Sequence, residues 1–507
     1  MIKKDHERFV LTTIITQGLI LRLSFLLGNS FPLGDGGFFF VMVKDLISNN
    51  YNLPYFSTYN HANIPFIYPP LGFYFAGIIN TTTRLDLLQV FRFVPLLFAV
   101  LSIPAFYCLA VEITKDKWVS LISTTVFTLL PMEYSWLIMG GGITRAVGSF
   151  FTILALTFVF RFIDSGKWRM GILSILFCGF TVLSHPEWSW FLFYSIGFFC
   201  IFKILTKTKK VIIRATILLT GTVILVSPWL ITVLHRHNFA VLMPLLDSGF
   251  SRWEDILRFI LLSWSGETLF PIFTLFALVG IIVLINKKYW FLPIWFVLVY
   301  IMQGRAADQK VVIPLSFLAG IGGKALYNFA IDHIISTNRK KLLVSIIGCI
   351  YIYSLIGSSF AVNPLAKSIS KEFLQGIEWF GKETPVDSTF LVITENFWAN
   401  DNYSEWVSAL TDRISVSVVQ GYEWAPGFSD RIYQYQISQN KYSEGITALN
   451  KWINKNQIHV DYIIFPKGNY IYTEYLTTLT PCQLKDVLLL SGNQVVFENT
   501  GVLIIKR

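Results

Sequence analysis

The chain has 507 residues, of which 54% are apolar, 16% aromatic and only 14% charged, and its mean hydropathy is +0.56; this is more hydrocarbon than one water-soluble core can bury. The apolar residues fall in blocks of roughly 17 to 25, the length that crosses a hydrocarbon layer roughly 30 Å thick, which excludes an ordinary soluble protein. The formal charge of +10 is no nucleic-acid signal, because residues 363–507 hold 12 Lys and Arg against 15 Asp and Glu, a net of −3, and the excess basicity belongs to residues 1–362.

Taken in chain order, Lys3, Lys4 and Arg8 precede the apolar stretch Phe9–Leu27. That stretch is longer than a signal-peptide core and reads as an uncleaved first span. A loop over residues 28–88 follows, unusually long for a connection and therefore expected to be functional. Inside it, Ile64–Ile79 is apolar but short, and it carries Pro65, Pro69 and Pro70. Ten more spans are expected at Val90–Val111, Trp118–Ile138, Arg145–Ile163, Met170–Ser184, Trp188–Leu205, Val211–Leu234, Thr268–Ile285, Tyr289–Met302, Val311–Ile331 and Leu342–Phe360.

Charge decides whether Ile64–Ile79 crosses as well. If it does not, the basic clusters Lys115 and Lys117, Lys167 and Arg169, Lys203 to Arg214, Lys287 and Lys288, and Arg339 to Lys341 all share the N-terminal side, as the positive-inside rule expects. Ile64–Ile79 is therefore read as a re-entrant or interfacial segment. This predicts about eleven transmembrane helices in a multi-pass cell-membrane protein with a cytoplasmic N-terminus. The loops 28–88, 139–144, 185–187, 235–267 and 303–310 then face outward together with the C-terminal region. Cys108, Cys178, Cys200 and Cys349 lie in apolar spans and Cys482 stands alone, which predicts neither a disulfide framework nor a metal site.

Residues 363–507 read as a soluble α/β domain. Strand-like runs occur at Phe390–Thr394, Ile414–Val419, Val460–Phe465, Val495–Phe497 and Val502–Ile505, with a helix near Glu444–Asn454. The run Glu498-Asn499-Thr500-Gly501 predicts a hairpin turn. Glu405-Trp406, Arg413 and Gly421-Tyr422-Glu423-Trp424 supply aromatic rings that either stack on an acceptor or fill the core.

Several charged residues on the outward side are candidates for chemistry. Asp35 sits in Leu33-Gly34-Asp35-Gly36-Gly37, where glycines let backbone approach closely and an interfacial carboxylate is a candidate general base. Arg145 opens a span after Gly140-Gly141-Gly142-Ile143-Thr144, a setting suited to holding an anion. Arg305 and Lys310 occupy a short outer loop, and Arg22 lies near the outer end of the first span, where an unpaired cation is expensive. Together these four cations are candidates for binding a phosphate. Tyr68, His61, Glu133, and the His185 and Glu187 of the His185-Pro186-Glu187-Trp188 break are candidate pocket residues, although each also suits an ordinary loop. No nucleotide-cradling loop or dinucleotide glycine fingerprint occurs.

In the order and side of Arg22, Asp35, Tyr68-Pro69-Pro70-Leu71 and Gly140–Arg145, the sequence resembles the GT-C superfamily of membrane glycosyltransferases. That superfamily includes protein O-mannosyltransferases, the lipid A aminoarabinose transferase and the catalytic subunit of oligosaccharyltransferase. The resemblance implies a catalytic membrane domain over residues 1–362 and an extracytoplasmic domain over residues 363–507. It implies transfer of a hexosyl or pentosyl group from a polyprenyl-phosphate donor to a protein, lipid or glycan acceptor. It gives Asp35 the task of activating or orienting the acceptor and makes Arg145 and Arg305 contacts for the donor phosphate. Many relatives carry two adjacent acids in the first loop and a lysine before the proline pair; here Asp35-Gly36 and Tyr68 stand there, which leaves a divalent cation undecided. The rival class is a transporter or lipid or polysaccharide flippase, which calls for an intramembrane polar pathway and often repeated halves, and neither is visible in the sequence.

Overall fold

The computed structural model describes residues 4–206, 210–239, 253–303, 306–333, 337–394, 396–425, 427–467 and 494–507. Its helices are α1 Lys4–Leu27, α2 Gly37–Ser48, α3 Leu71–Thr83, α4 Leu87–Thr114, α5 Lys117–Leu129, α6 Pro131–Tyr134, α7 Gly142–Ser165, α8 Trp168–Val182, α9 Pro186–Thr206 and α10 Lys210–His237. They continue as α11 Trp253–Ile260, α12 Ile272–Asn286, α13 Phe291–Met302, α14 Ala307–Asp332 and α15 Thr337–Val362. Among the described residues, α1, α4, α7, α9, α10, α14 and α15 are long and apolar enough to cross a membrane, and α8, α12 and α13 are shorter apolar helices.

The packing explains why these helices need a non-aqueous surround. On α10, Val211, Leu218, Thr222, Val226 and Val233 form a narrow buried stripe, while Ile212, Ile213, Ile217, Leu219, Val223, Ile224 and Ile231 remain exposed. A helix that shows aliphatic side chains outward over most of its circumference has no stable position in water. Where helices touch most closely, small residues permit it: a Cβ on Gly280 of α12 would lie 2.0 Å from the Leu318 carbonyl oxygen of α14.

One expected span is interrupted. The stretch Trp118–Ile138 forms α5 over 13 residues and then stops, because Leu130 takes an extended conformation (ψ 121°) before Pro131, which starts the single-turn α6. The apolar segment from Ile64 divides into a two-residue strand, β2 Ile64–Pro65, and α3. At 13 residues α3 is about 20 Å long, short of a hydrocarbon layer. β2 pairs antiparallel with β1, Phe56–Ser57.

The two ends of the bundle differ in their charge chemistry. At one end Lys117 pairs with Glu7, Lys324 with Asp116, Arg161 with Glu112 and Lys203 with Asp164. At the other, the loop after α1, the turn before α7, the α8–α9 connection and the start of α14 meet one another and the C-terminal region.

The C-terminal region builds a mixed five-stranded sheet in the order β4-β3-β5-β7-β6. Its strands are β3 Thr389–Val392, β4 Ile414–Ser415, β5 Tyr462–Pro466, β6 Gln494–Glu498 and β7 Val502–Lys506. β4 and β5 run parallel to β3, β7 runs antiparallel to β5, and β6 closes a hairpin with β7. The Asn499 side chain accepts the Gly501 and Val502 amides at 2.8 and 2.9 Å and shapes that turn. Helices α16 Lys371–Glu383, α17 Asn402–Thr411, α18 Phe428–Ser443 and α19 Ile446–Lys455 complete it.

Alternation along the strands divides the core in two. Leu391, Ile463, Phe465, Leu503 and Ile505 pack with Leu449 and Ile453 of α19 on one face. Phe390, Val392, Ile464, Val502 and Ile504 share a core with Phe373 and Phe380 of α16, Trp406 of α17, and Phe31, Phe38, Phe40 and Tyr59 of the first loop. The long first loop and the C-terminal region thus form one hydrophobic unit.

Candidate functional site

Two glycine-rich turns interlock where α1 ends and α7 begins. The Gly140 amide donates to the Leu33 carbonyl at 2.8 Å and the Gly141 amide to the Asp35 carbonyl at 3.0 Å. Gly36 has φ 129°, and a Cβ on it would meet the Gly140 carbonyl carbon at 2.7 Å; a Cβ on Gly141 would lie 2.7 Å from Asp35 Oδ1. Any larger residue would force the turns apart, so the glycines are what bring the carboxylate to the start of α7.

There it meets Arg145 on the first turn of the helix. Arg145 Nη1 donates to Asp35 Oδ2 at 2.9 Å and Nη2 to Oδ1 at 2.7 Å, a two-pronged charge-assisted pair. Nε donates to the Trp136 carbonyl at 3.2 Å, and the guanidinium lies 5.6 Å from the centre of the Trp136 ring. The Asp35 side chain retains 25% of its exposure and Arg145 15%. The pair is fixed in direction yet reachable by an incoming group.

The C-terminal region backs this loop. The Gly34 amide donates to the Lys367 carbonyl at 2.8 Å, and Trp406 Nε1 donates to the Gly34 carbonyl at 3.0 Å. Glu405 is buried against the N-terminus of α2, where Oε1 accepts the Phe38 amide at 3.0 Å and both carboxyl oxygens lie 3.2 Å from the Gly36 amide. Burial, and then the charge of Asp35, push the Glu405 carboxyl up to about 8, while the two amides pull the other way.

The remaining candidates divide into two groups. Arg22 is wholly buried and paired with Glu133; it also donates to the Gly18 and Thr128 carbonyls at 3.1 and 3.3 Å and lies over the Tyr134 ring. This pair sits among helices, apart from Asp35 in its contacts. His61 hydrogen-bonds Asp412 on the far side of the first loop, 3.0 Å from Oδ1. The second group lies beside Arg145. The Tyr68 hydroxyl is 3.5 Å from Thr144 Oγ1, and its ring meets the His185 ring edge-on at 6.3 Å. His185 Nδ1 accepts the Trp188 amide at 3.4 Å. Lys310, also fully buried, donates to Glu187 Oε2 at 2.8 Å and lies 5.0 Å from the Trp188 ring centre. Arg305 lies outside the described residues.

A residue that the sequence reading passed over completes the picture. A cavity of about 450 Å³ opens beside the proline run, lined in part by Pro70, Leu71, Tyr74, Leu183, Trp229 and Arg236. Arg236 Nη1 donates to the Leu53 and Pro54 carbonyls at 2.7 and 3.1 Å, and the guanidinium lies over the Tyr55 ring. Its signal was the cluster His235-Arg236-His237 at the end of a span opposite the lysine-rich loops. Among the described residues no three His, Cys, Asp or Glu side chains converge as metal ligands. Arg145 takes both Asp35 oxygens and Glu405 faces amides, so among the described residues the donor set around Asp35 does not fit a divalent cation.

No family model matches the sequence, and no curated protein matches it. Solved structures do. The archaeal oligosaccharyltransferase AglB from Archaeoglobus fulgidus, in complex with an inhibitory peptide and a dolichol-phosphate, is 15% identical with a TM-score of 0.63, over 91% of this chain and 69% of that one. ArnT from Cupriavidus metallidurans, bound to undecaprenyl phosphate, is 11% identical with a TM-score of 0.57, over 98% and 97%. The arabinofuranosyltransferase AftD from Mycobacteria is 11% identical with a TM-score of 0.59, over 98% of this chain and 40% of that one. The fold is that of the GT-C membrane glycosyltransferases.

Proposed function

We propose, from this fold and its acid–guanidinium pair, that the chain is a membrane glycosyltransferase that moves a sugar from a polyprenyl-phosphate donor to an acceptor on the outer face of the membrane. The observation that carries the reading is the two-pronged Asp35–Arg145 contact, held by glycine turns and still partly open. A donor carried by the bilayer presents its phosphate at the interface, so the site needs an acid, cations and an apolar groove and has no need of a nucleotide pocket.

The acceptor hydroxyl or amide attacks the anomeric carbon as the bond from that carbon to the phosphate oxygen breaks, and the electron pair leaves with the phosphate. Asp35 orients the attacking group and takes its proton. Arg145, fixed by Trp136, aims the carboxylate and offers its charge to the departing phosphate. The cavity by Leu71 and Leu183 suits the first isoprene units, and Arg236 at its wall adds a second cation for the phosphate. Tyr68 links the two regions through Thr144, the neighbour of Arg145. Arg22, neutralised by Glu133, serves the bundle in this reading.

The test is to reconstitute the purified protein in liposomes with a panel of polyprenyl-phosphate-linked hexoses and pentoses. Release of polyprenyl phosphate matched by a glycosylated acceptor is expected. Movement of the lipid across the bilayer with no glycosyl product would replace the transferase reading with a flippase.

A further inference from the structure

Every peptide group around Asp35 is held from outside its own loop. The turn before α7 holds the carbonyls of Leu33 and Asp35, and the C-terminal side holds the Gly34 amide, the Gly34 carbonyl and the Gly36 amide. Of these anchors, Glu405 alone supplies a carboxyl group, and Gly37 is what lets it come this close: a Cβ there would meet the Glu405 carbonyl oxygen at 2.9 Å. The side chain is 3% exposed, and its main-chain carbonyl accepts the Tyr59 hydroxyl at 3.2 Å. A buried carboxyl so close to Asp35 is unfavourable unless the amides it accepts repay its burial. Neither packing of the sheet nor closure of α17 needs an acid there, since α17 is capped by Asp401, which accepts the Ser404 amide at 3.1 Å.

We propose that Glu405 is a positioning residue for the transfer reaction: by gripping the Gly36 and Phe38 amides from the C-terminal domain, it fixes the direction in which Asp35 points and makes docking of that domain a condition for catalysis. The proposal rests on the glycosyltransferase reading. Glu405 touches no reacting atom, and its effect reaches the acceptor through the single peptide between Gly36 and Asp35.

The experiment compares Glu405→Ala and Glu405→Gln with the full-length wild type in liposomes. Transfer kinetics and hydrogen–deuterium exchange over residues 31–42 are both measured. Glu405→Ala is expected to lower kcat about tenfold or more with donor KM changed less than about twofold, and to speed exchange at Phe38. Glu405→Gln, whose amide oxygen still accepts the Phe38 amide, is expected to restore most of both. Faster exchange with unchanged kcat in Glu405→Ala would overturn the proposal, as would a glutamine variant as impaired as the alanine one. If Glu405→Ala does not fold, Glu405→Gln alone decides: a kcat loss equal to that of Asp35→Asn would contradict a role confined to positioning. Absence of transfer by the wild type would instead overturn the functional reading, and the exchange data would still report whether Glu405 grips the loop.

Discussion

Replacing Arg145 by lysine keeps the charge and removes the fork. The wild-type guanidinium makes two bonds to Asp35, at 2.9 and 2.7 Å, and a third to Trp136. An ammonium reaches one carboxylate oxygen and lacks the planar geometry that fixes the other. A hydrogen bond to a charged group is worth about 1.5–3 kcal/mol, and the partial exposure of both partners argues for the lower end. A loss of about 1.5–2 kcal/mol in aiming Asp35 lowers kcat roughly 10- to 30-fold. The assay is steady-state transfer from a radiolabelled lipid-linked sugar, with the double variant Asp35→Asn/Arg145→Lys as a control. Because the two residues act as one unit, the double variant should be no slower than Asp35→Asn alone. A lysine variant with wild-type kcat, or strictly additive losses, would show that the guanidinium fork does not aim Asp35.

Three further outcomes follow from the same contacts. Arg22→Ala leaves the Glu133 carboxyl buried without its partner, which should cost about 3–5 kcal/mol of stability, whereas changing both residues to methionine should be close to neutral; thermal unfolding in detergent distinguishes these, and kcat of the folded fraction should hold. Arg236→Ala should raise donor KM about threefold or more with little change in kcat, and an unchanged KM would show that Arg236 does not bind the proposed donor phosphate. For Glu405, faced by Asp35, Glu423 and Tyr59, a carboxyl raised to about 8 binds its proton more tightly folded than unfolded. Its stabilising contribution is therefore complete below about pH 4.5 and is lost as pH rises through about 8. Glu405→Gln should match the wild type in melting temperature at pH 5 and exceed it at pH 9; equal melting temperatures at both pH values would show that the carboxyl does not titrate against folding.

The bundle was legible because a lipid solvent imposes run lengths that a sequence displays directly, and because lysines collect at one end. The break in Trp118–Ile138 was signalled by Pro131 but masked by apolar residues on both sides of it. In the C-terminal region the strands stood out by alternation, while α17 and α18 did not, since polar residues dilute their apolar faces and the sheet and first loop supply the packing that holds them; α16 was passed over although Phe373, Ile377 and Phe380 recur at helical spacing. The run Ile414–Val419 pairs only at Ile414–Ser415, after which the chain leaves the sheet for the first loop, where the Ser415 amide donates to Asn60 Oδ1.

The site was legible in its parts. Glycines around Asp35 and before Arg145 announced two close-packed turns, but 110 residues separate the acid from its guanidinium, and no local period encodes that meeting. The same distance hid the partner of Arg22: the expense of an intramembrane cation was readable, whereas Glu133 as its partner was not. Glu405 was visible only as a neighbour of Trp406, because its contacts with the Gly36 and Phe38 amides join residues 369 and 367 positions apart.

Whether Asp35 acts on the acceptor is decided by transfer by Asp35→Asn, measured with labelled polyprenyl-phosphate sugar beside wild type at equal amounts of folded protein. A fall in kcat of at least about a hundredfold with donor binding retained is expected. Wild-type turnover by the asparagine protein would contradict that role.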